Sequence, residues 1–162
     1  MIPESAGATP YGIFLLADDY LRAATVSQQH GSSAPVRLLA YHAAELFLKT
    51  YMRSAGDTVV ALRGHGHDLL AMVDRALILG LKLPPKIRAQ ASKMAAKNDY
   101  VRVRYVVPED RSDIPLESLL RFTQTIRICV ISGLNMDPHG VPLEKHWLAG
   151  LPSDYPAKPP GR

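Results

Sequence analysis

The longest stretch of helical periodicity in the chain runs from Pro35 to Gly56. One face of this segment carries a stripe of mostly apolar positions: Val36, Leu39, Ala40, Ala43, Leu46, Phe47 and Thr50. Ala44, Leu48 and Tyr51 make the stripe broader than a helix on the surface of a protein needs. The pattern therefore predicts a central helix that is nearly buried.

Four further segments have helical spacing, and turn residues separate them. They cover residues 11–29, 67–79, 84–100 and the stretch after Ile114-Pro115 up to Gly133. Gly56 and Gly80 follow predicted helices at positions where a left-handed backbone is favoured. Because the connections are short, we expect an all-α fold. We expect a five-helix, mainly antiparallel up-and-down bundle over residues 10–134.

The connections are less regular. Residues 57–66 have the glycines of a loop, and residues 108–113 form a polar loop. Val101, Val103 and Tyr105 alternate with two arginines, which is typical of a short strand. An extended or kinked connection out of the fourth helix is the alternative.

Both ends of the chain lack helical periodicity. Residues 1–9 are expected to be a mobile start. Residues 137–162 contain six prolines and three glycines, so residues 135–162 are predicted to be a Pro-rich tail. Four apolar residues in this tail can dock on a neighbouring surface: Val141, Leu143, Trp147 and Leu148.

Composition limits the class of protein. The chain has 162 residues, of which 47% are apolar and 21% charged, as in an ordinary globular domain. No apolar run approaches the roughly 20 residues that span a bilayer, and the N-terminus lacks signal-peptide features. The single Cys129 excludes an intramolecular disulfide. We therefore expect a cytoplasmic protein without a membrane association. Its net charge of +4 is compatible with a nucleic-acid ligand.

The polar edge of the central helix carries candidate chemistry. His42 and Glu45 are three residues apart and can touch on a helix, which is an arrangement for acid–base catalysis. The alternative is a half-buried His42 that bonds to a neighbouring helix, beside a surface pair of Glu45 and Lys49.

A second candidate lies in the sequence His65-Gly66-His67-Asp68. Imidazoles and a carboxylate are good ligands for zinc, but a tetrahedral site needs three or four ligands that converge. No second ligand pair accompanies them, so we expect no metal. His67 and Asp68 are then residues that cap the next helix. The chain also lacks a Gly-rich phosphate loop, and we expect no cofactor.

The segment from Lys86 to Arg104 has the strongest local charge bias, with Asp99 as its one acidic residue. Basic residues interleaved with tyrosines are typical of surfaces that bind phosphates and stack bases. A solvated basic helix face is the alternative. The candidate residues for binding nucleic acid or nucleotide are Lys93, Lys97, Tyr100, Arg102, Arg104 and Tyr105.

Three sequence segments together resemble the HEPN domain, the higher eukaryotes and prokaryotes nucleotide-binding family. They are Tyr41–Lys49 with its Ala-Ala-Glu-Leu core, Gly66–Leu70 with Gly-His-Asp-Leu, and Tyr100 followed by Arg104-Tyr105. The resemblance covers roughly residues 11–133. It implies a helical bundle that dimerises and is associated with RNA processing, nucleotide-related systems or toxin–antitoxin pairs.

The catalytic branch of that family cleaves RNA without a metal through an Arg-x(4–6)-His motif. No histidine follows Arg102 or Arg104 at that distance, so the chain departs from the motif in this segment. The literal match, Arg37-x4-His42, lies in the central helix. There the two side chains point about 140° apart.

We therefore expect a non-catalytic, HEPN-like binding or accessory module, a homodimer with RNA or a nucleotide as ligand. One alternative is an endoribonuclease with a divergent Arg/His site, for which His42 and Arg104 are the candidate catalytic residues. Another is a protein partner of a nucleotidyltransferase-type protein. We expect the site where the His42/Glu45 edge, the His67-Asp68 helix start and the segment 100–105 converge.

Overall fold

The computed structural model describes residues 9–29, 33–105 and 113–144. These residues form seven helices and no β-strand beyond one isolated antiparallel bridge between Met136 and Pro142. The helices are α1 (Pro10–Ser27), α2 (Ser33–Ser54), α3 (Val59–Gly64), α4 (Leu69–Ile78), α5 (Pro85–Ala96), α6 (Asp99–Arg104) and α7 (Leu116–Gly133). The all-α class predicted from the sequence is therefore confirmed, but the structure has two more helices than the five predicted.

Helix α2 lies at the centre and packs against α1, α3, α4, α6 and α7. The predicted apolar stripe faces the core: Val36, Ala40, Ala43, Phe47 and Thr50 are buried, and Leu39 and Leu46 are half-buried. The polar edge of α2 is covered as well. Arg37 and Glu45 are only 8% and 2% exposed, so helices pack around nearly the whole of α2.

Helix α3 lies in the segment that was predicted to be a loop. The hydroxyl of Thr58 accepts a hydrogen bond from the Ala61 amide and caps the helix, while Leu62 is buried. A six-residue helix gives little periodicity in the sequence. The expectation of a plain loop at residues 57–66 was therefore wrong.

Helix α6 lies where the alternation of valines with arginines left a short strand and an extended or kinked connection open, and the strand is wrong. The preceding helix ends at Ala96 and not near residue 100. Asn98 has a left-handed backbone with φ of 52°, so it ends the preceding α5 and a new helix begins at Asp99. Asp99 and Tyr100 are buried against α2, whereas Val101 is exposed. The alternation thus does not correspond to two faces of a sheet.

The first part of the predicted tail packs on the helices. Met136 and Gly140 are buried, and a Cβ atom at Gly140 would lie 2.3 Å from the Phe14 ring. Arg127 of α7 bonds to Asp18 of α1 at 2.5 Å and donates to the Pro138 and His139 carbonyls. Val141 is half-buried and Leu143 is exposed.

Some sequence-based expectations fall on other parts of the chain. Residues 1–8, most of the 108–113 loop, and Trp147 and Leu148 lie outside the described residues. Among the helices that are described, none has the length and apolar character to cross a membrane.

Candidate functional site

Glu45 is the centre of a polar cluster between α2, α6 and the start of α4. Its carboxylate is 2% exposed and accepts three hydrogen bonds. Lys49 Nζ donates to Oε1 at 2.6 Å, and His67 Nδ1 and the Tyr100 hydroxyl each lie 2.8 Å from Oε2. A buried carboxylate needs such donors because burial without them disfavours its charge. Glu45 thus joins three helical segments at one point.

Two tyrosines link α2 and α6 beside this carboxylate. The rings of Tyr41 and Tyr100 stack with centroids 4.9 Å apart and planes 15° from parallel. The Tyr41 hydroxyl on α2 donates to Asp99 on α6, while the Tyr100 hydroxyl on α6 donates to Glu45 on α2. Arg37 adds an ion pair to Asp99 at 3.9 Å. Each tyrosine therefore bonds to an acid on the other's helix.

His42 and His67 both lie next to the Tyr100 side chain. His42 Nδ1 is 3.3 Å from the Tyr100 hydroxyl and 3.8 Å from Glu45 Oε2. The His42 ring also meets Tyr20 of α1 edge-on at 4.5 Å, and the His67 ring meets Tyr100 at 5.5 Å. The sequence alternative of a half-buried His42 that bonds to a neighbouring helix agrees with this geometry.

The hydrogen bonds fix the ring tautomers. His67 Nδ1 carries a proton because its partner is a carboxylate, and His42 Nδ1 donates to the hydroxyl oxygen whose own proton goes to Glu45. Within the described residues neither Nε2 atom makes a hydrogen bond. The side chains of His42 and His67 are 32% and 42% exposed. Both histidines can therefore offer Nε2 to a ligand.

Burial and hydrogen bonding shift the pKa values of this cluster in opposite directions. Burial alone raises the pKa of Glu45, but the neighbouring His42, His67 and Lys49 side chains outweigh it and hold that pKa well below its usual range. Burial raises the pKa of Tyr100, and the neighbouring Glu45 charge raises it further. Burial and the bond to Asp99 likewise raise the pKa of Tyr41. Glu45 is thus ionised and both phenols keep their protons.

Arg104 and Tyr105 lie at the exposed end of α6. The Arg104 guanidinium carbon is 5.8 Å from the centroid of the Tyr100 ring, a cation–π contact. Among the described contacts, Arg104 does not pair with the Glu45 carboxylate, which bonds to Lys49, His67 and Tyr100. Tyr105 is 77% exposed, whereas Tyr100 is covered by Tyr41. Tyr105 is therefore the ring that a base can stack on.

The remaining basic candidates surround one acidic residue. Lys97 Nζ lies 3.0 Å from Asp113. This hydrogen bond is the main reason why the pKa of Asp113 is lowered, and the charges of Lys97, Arg102 and Lys93 contribute as well. Further along, Arg88 makes a paired contact with Asp74 through two nitrogens. Lys93, Lys97 and Arg102 thus form one basic surface around the Asp113 carboxylate.

Asp68 takes no part in the cluster. Its carboxylate accepts from the Ala71 amide at 2.9 Å and caps α4, as the capping alternative had it. His67 precedes this cap and is turned toward Glu45 instead. Over the described residues, no three His, Cys, Asp or Glu side chains are grouped so that they could hold a metal ion.

Sequence reasoning found His42, Glu45, His67, Tyr100 and Arg104, which the structure brings together, but it missed three members. Tyr41 was part of the family resemblance and Tyr20 part of a helical pattern, without a role in the site. Asp99 could have been singled out from the sequence, because it is the one acidic residue in a strongly basic segment. Its burial beside Arg37 explains that exception.

The cluster supplies acid–base groups and donors for an anion. Three groups that are or can become cationic surround Tyr100, namely His42, His67 and Arg104. Comparison of the chain with protein-family models, with curated proteins and with solved structures gave no match.

Proposed function

We propose that this protein is a HEPN-like binding module that holds RNA or a nucleotide at the cluster around Tyr100. The observation that carries the proposal is that His42, His67 and Arg104 all contact Tyr100. Cationic and N–H donor groups on one spot favour a phosphate. The family resemblance supports the further expectation of an antiparallel bundle that acts as a cytoplasmic homodimer.

The basic surface at Lys93, Lys97 and Arg102 extends this site along α5 and α6. A single strand that places one phosphate at Arg104 would reach these side chains with its following phosphates. Tyr105 offers an exposed ring for a base, and such stacking contributes about 1–3 kcal/mol per base. The surface therefore favours a single strand over an isolated phosphate.

The test is the binding of a fluorescent single-stranded oligoribonucleotide across a range of salt concentrations. We expect binding at low salt that weakens steeply as salt is added. Arg104→Ala and Lys93→Ala should each lower the slope of log affinity against log salt by about 0.7. Lys82→Ala removes an exposed charge outside the site and should leave the slope unchanged. A protein that binds no RNA and no nucleotide at low salt would refute the proposal.

The second candidate function is a metal-independent endoribonuclease, favoured by the two histidines whose Nδ1 atoms are anchored while Nε2 is available. One neutral imidazole would take the proton of a ribose 2′-hydroxyl, and the 2′-oxygen would attack the phosphorus. The other, as imidazolium, would protonate the 5′-oxygen that leaves. The products would be a 2′,3′-cyclic phosphate and a 5′-hydroxyl.

Incubation with a mixed RNA pool and a metal chelator separates the two functions. If the protein is an endoribonuclease, the wild type cleaves the RNA. The cleavage rate then falls strongly in each of His42→Ala, His67→Ala and Arg104→Ala. If cleavage persists unchanged in all three variants, the activity does not belong to this site. Binding without cleavage would leave the module as the function.

A further inference from the structure

The ring of His67 is held at one of its two nitrogens. Its Nδ1 atom lies 2.8 Å from Oε2 of Glu45, a residue that is 2% exposed. The pKa of Glu45 is held well below its usual range, so its carboxylate is ionised and only accepts hydrogen bonds. The contact therefore requires a proton on Nδ1. In the neutral imidazole, Nε2 then has a lone pair and no proton.

A phosphate oxygen cannot accept a hydrogen bond from such a ring until a second proton is added. The His67 side chain is 42% exposed, and its Nε2 atom makes no hydrogen bond within the described part of the chain. The lone pair of Nε2 repels an anionic oxygen, whereas an imidazolium offers an N–H donor there. The other neutral tautomer also offers this donor, but it would turn a lone pair of Nδ1 toward the Glu45 carboxylate.

His42 is held less firmly than His67. Its Nδ1 atom is 3.3 Å from the Tyr100 hydroxyl, and a phenol can donate a hydrogen bond as well as accept one. A change of tautomer therefore costs His42 less, and its neutral ring can present an N–H at Nε2. His67 is thus the ring at which protonation and the binding of an anion are coupled.

The charged and titratable groups around the two histidines come from four elements. They are Glu45 and Lys49 of α2, Tyr100 and Arg104 of α6, Tyr20 of α1, and Asp68 at the start of α4, whose carboxylate is bound to the Ala71 amide.

These charges favour a proton on His67 most when an anion is present. Lys49 Nζ lies 2.6 Å from Glu45 and already balances the charge of that carboxylate. A second proton on His67 therefore gives the cluster an excess of positive charge, to which Arg104 adds beside the Tyr100 ring. A bound phosphate supplies the negative charge that offsets this excess.

We propose that the site binds a phosphate together with one proton, which His67 takes from the buffer at Nε2, and that Glu45 is the positioning residue that makes this proton necessary. That the phosphate belongs to an RNA or a nucleotide rests on the proposed function. Where the His67 ring is already an imidazolium, the donor exists before binding. At higher pH the proton must be recruited, so the affinity falls as the pH rises, by up to about tenfold per pH unit for one proton.

Calorimetric titration of the full chain with an unlabelled single-stranded oligoribonucleotide tests this coupling. The oligoribonucleotide has hydroxyl groups at both ends, so that its phosphodiesters keep a constant charge. Binding is measured between about pH 5.5 and 8, the range in which histidines titrate. Two buffers with different ionisation enthalpies give the number of protons taken up. We expect the wild type to take up protons near pH 8 and to bind more weakly as the pH rises.

Three variants separate the roles of the residues. His67→Asn keeps an amide donor near the position of Nδ1 but has no Nε2, so it should lose most of the proton uptake and most of the pH dependence. Arg104→Ala should weaken binding several-fold at every pH and keep the uptake, because a guanidinium stays charged throughout this range. His139→Asn lies on the exposed turn after α7 and should bind like the wild type.

Ring-nitrogen NMR of the protein without RNA, at about pH 8, tests the part played by Glu45. The wild type should show His67 protonated at Nδ1 alone. In Glu45→Gln the side-chain amide can donate as well as accept, so both tautomers of His67 should be populated and the proton uptake should decrease. If Glu45→Gln does not fold, the wild-type spectrum decides. A proton on Nε2 of His67 at this pH overturns the proposal.

The calorimetric outcomes distinguish this inference from the proposed function. RNA that binds without proton uptake, or uptake that persists in His67→Asn, overturns the inference and leaves the proposed function standing. If no RNA binds at any pH, the proposed function fails and the proton-coupled site fails with it.

Discussion

Tyr41 and Tyr100 stack at 4.9 Å, and each hydroxyl donates to a carboxylate on the helix of the other tyrosine. The arrangement joins a central buried helix to a helix of only six residues. It also covers Glu45, while the side chains of the two neighbouring histidines stay partly exposed. The same contacts therefore stabilise α6 and shape the candidate site.

Tyr41→Phe should destabilise the protein by about 2 kcal/mol. The ring keeps its stacking on Tyr100, but buried Asp99 loses a hydrogen-bond donor and carries the cost of its burial. The measurement is urea unfolding at neutral pH. Tyr51→Phe is the matched control, because its hydroxyl makes a long bond of 3.4 Å to the Leu79 carbonyl and should cost less than about 1 kcal/mol. Equal losses in the two variants would contradict the role assigned to Asp99.

Glu45→Gln should lower the free energy of unfolding by about 3 kcal/mol at neutral pH. The substitution leaves Lys49 without its charge partner in a mostly covered position. This difference in stability between the wild type and the variant should become smaller at acidic pH. The folded protein holds the pKa of Glu45 below its ordinary value of 4.5, so the stabilisation is complete above that pH and declines as the pH falls below it.

The free energy of unfolding, measured at several pH values, tests directly whether the stabilisation by Glu45 decreases as the pH falls. The stability of the wild type should fall more steeply below about pH 4.5 than that of Glu45→Gln, so that the two curves converge. Parallel curves would show that the Glu45 carboxylate is not held in its ionised form by its neighbours.

Gly140→Ala should cost more than Gly56→Ala, although both glycines have positive φ angles, of 81° and 106°. Both variants strain the backbone by about 1 kcal/mol. At Gly140 the new Cβ would also lie 2.3 Å from the Phe14 ring, whereas at Gly56 it would meet no atom within 4 Å. Overpacking adds about 1–3 kcal/mol at Gly140. Equal losses in thermal unfolding would mean that residues 135–144 do not pack on α1.

The sequence was sufficient for the helical class and for the central position of α2. The apolar positions from Val36 to Thr50 recur over about four turns, and such a long pattern outweighs local ambiguity. Helix α6 could not be predicted from the sequence, because tertiary contacts and not its short local pattern determine its conformation. The burial of Asp99 and Tyr100 against α2 decides its conformation, and the alternation of Val101 and Val103 with arginines points to a strand.

Five members of the candidate site were predicted from the sequence, but Tyr41, Tyr20, Asp99 and the organisation of the site were not. Glu45 and Lys49 have the spacing of a surface ion pair, and nothing local shows that the carboxylate is buried. His67 reaches it across 22 residues and Tyr100 across 55. Only the packed helices bring these groups together.

The most direct test of the central claim is the imidazole NMR spectrum of the protein as a single-stranded oligoribonucleotide is added. The proposed site predicts saturable shifts of the His42 and His67 ring signals. His139 lies on the exposed turn after α7, outside the cluster, and its signal should stay in place as an internal control. RNA binding that leaves His42 and His67 unmoved, or moves His139 equally, would contradict the site at Tyr100.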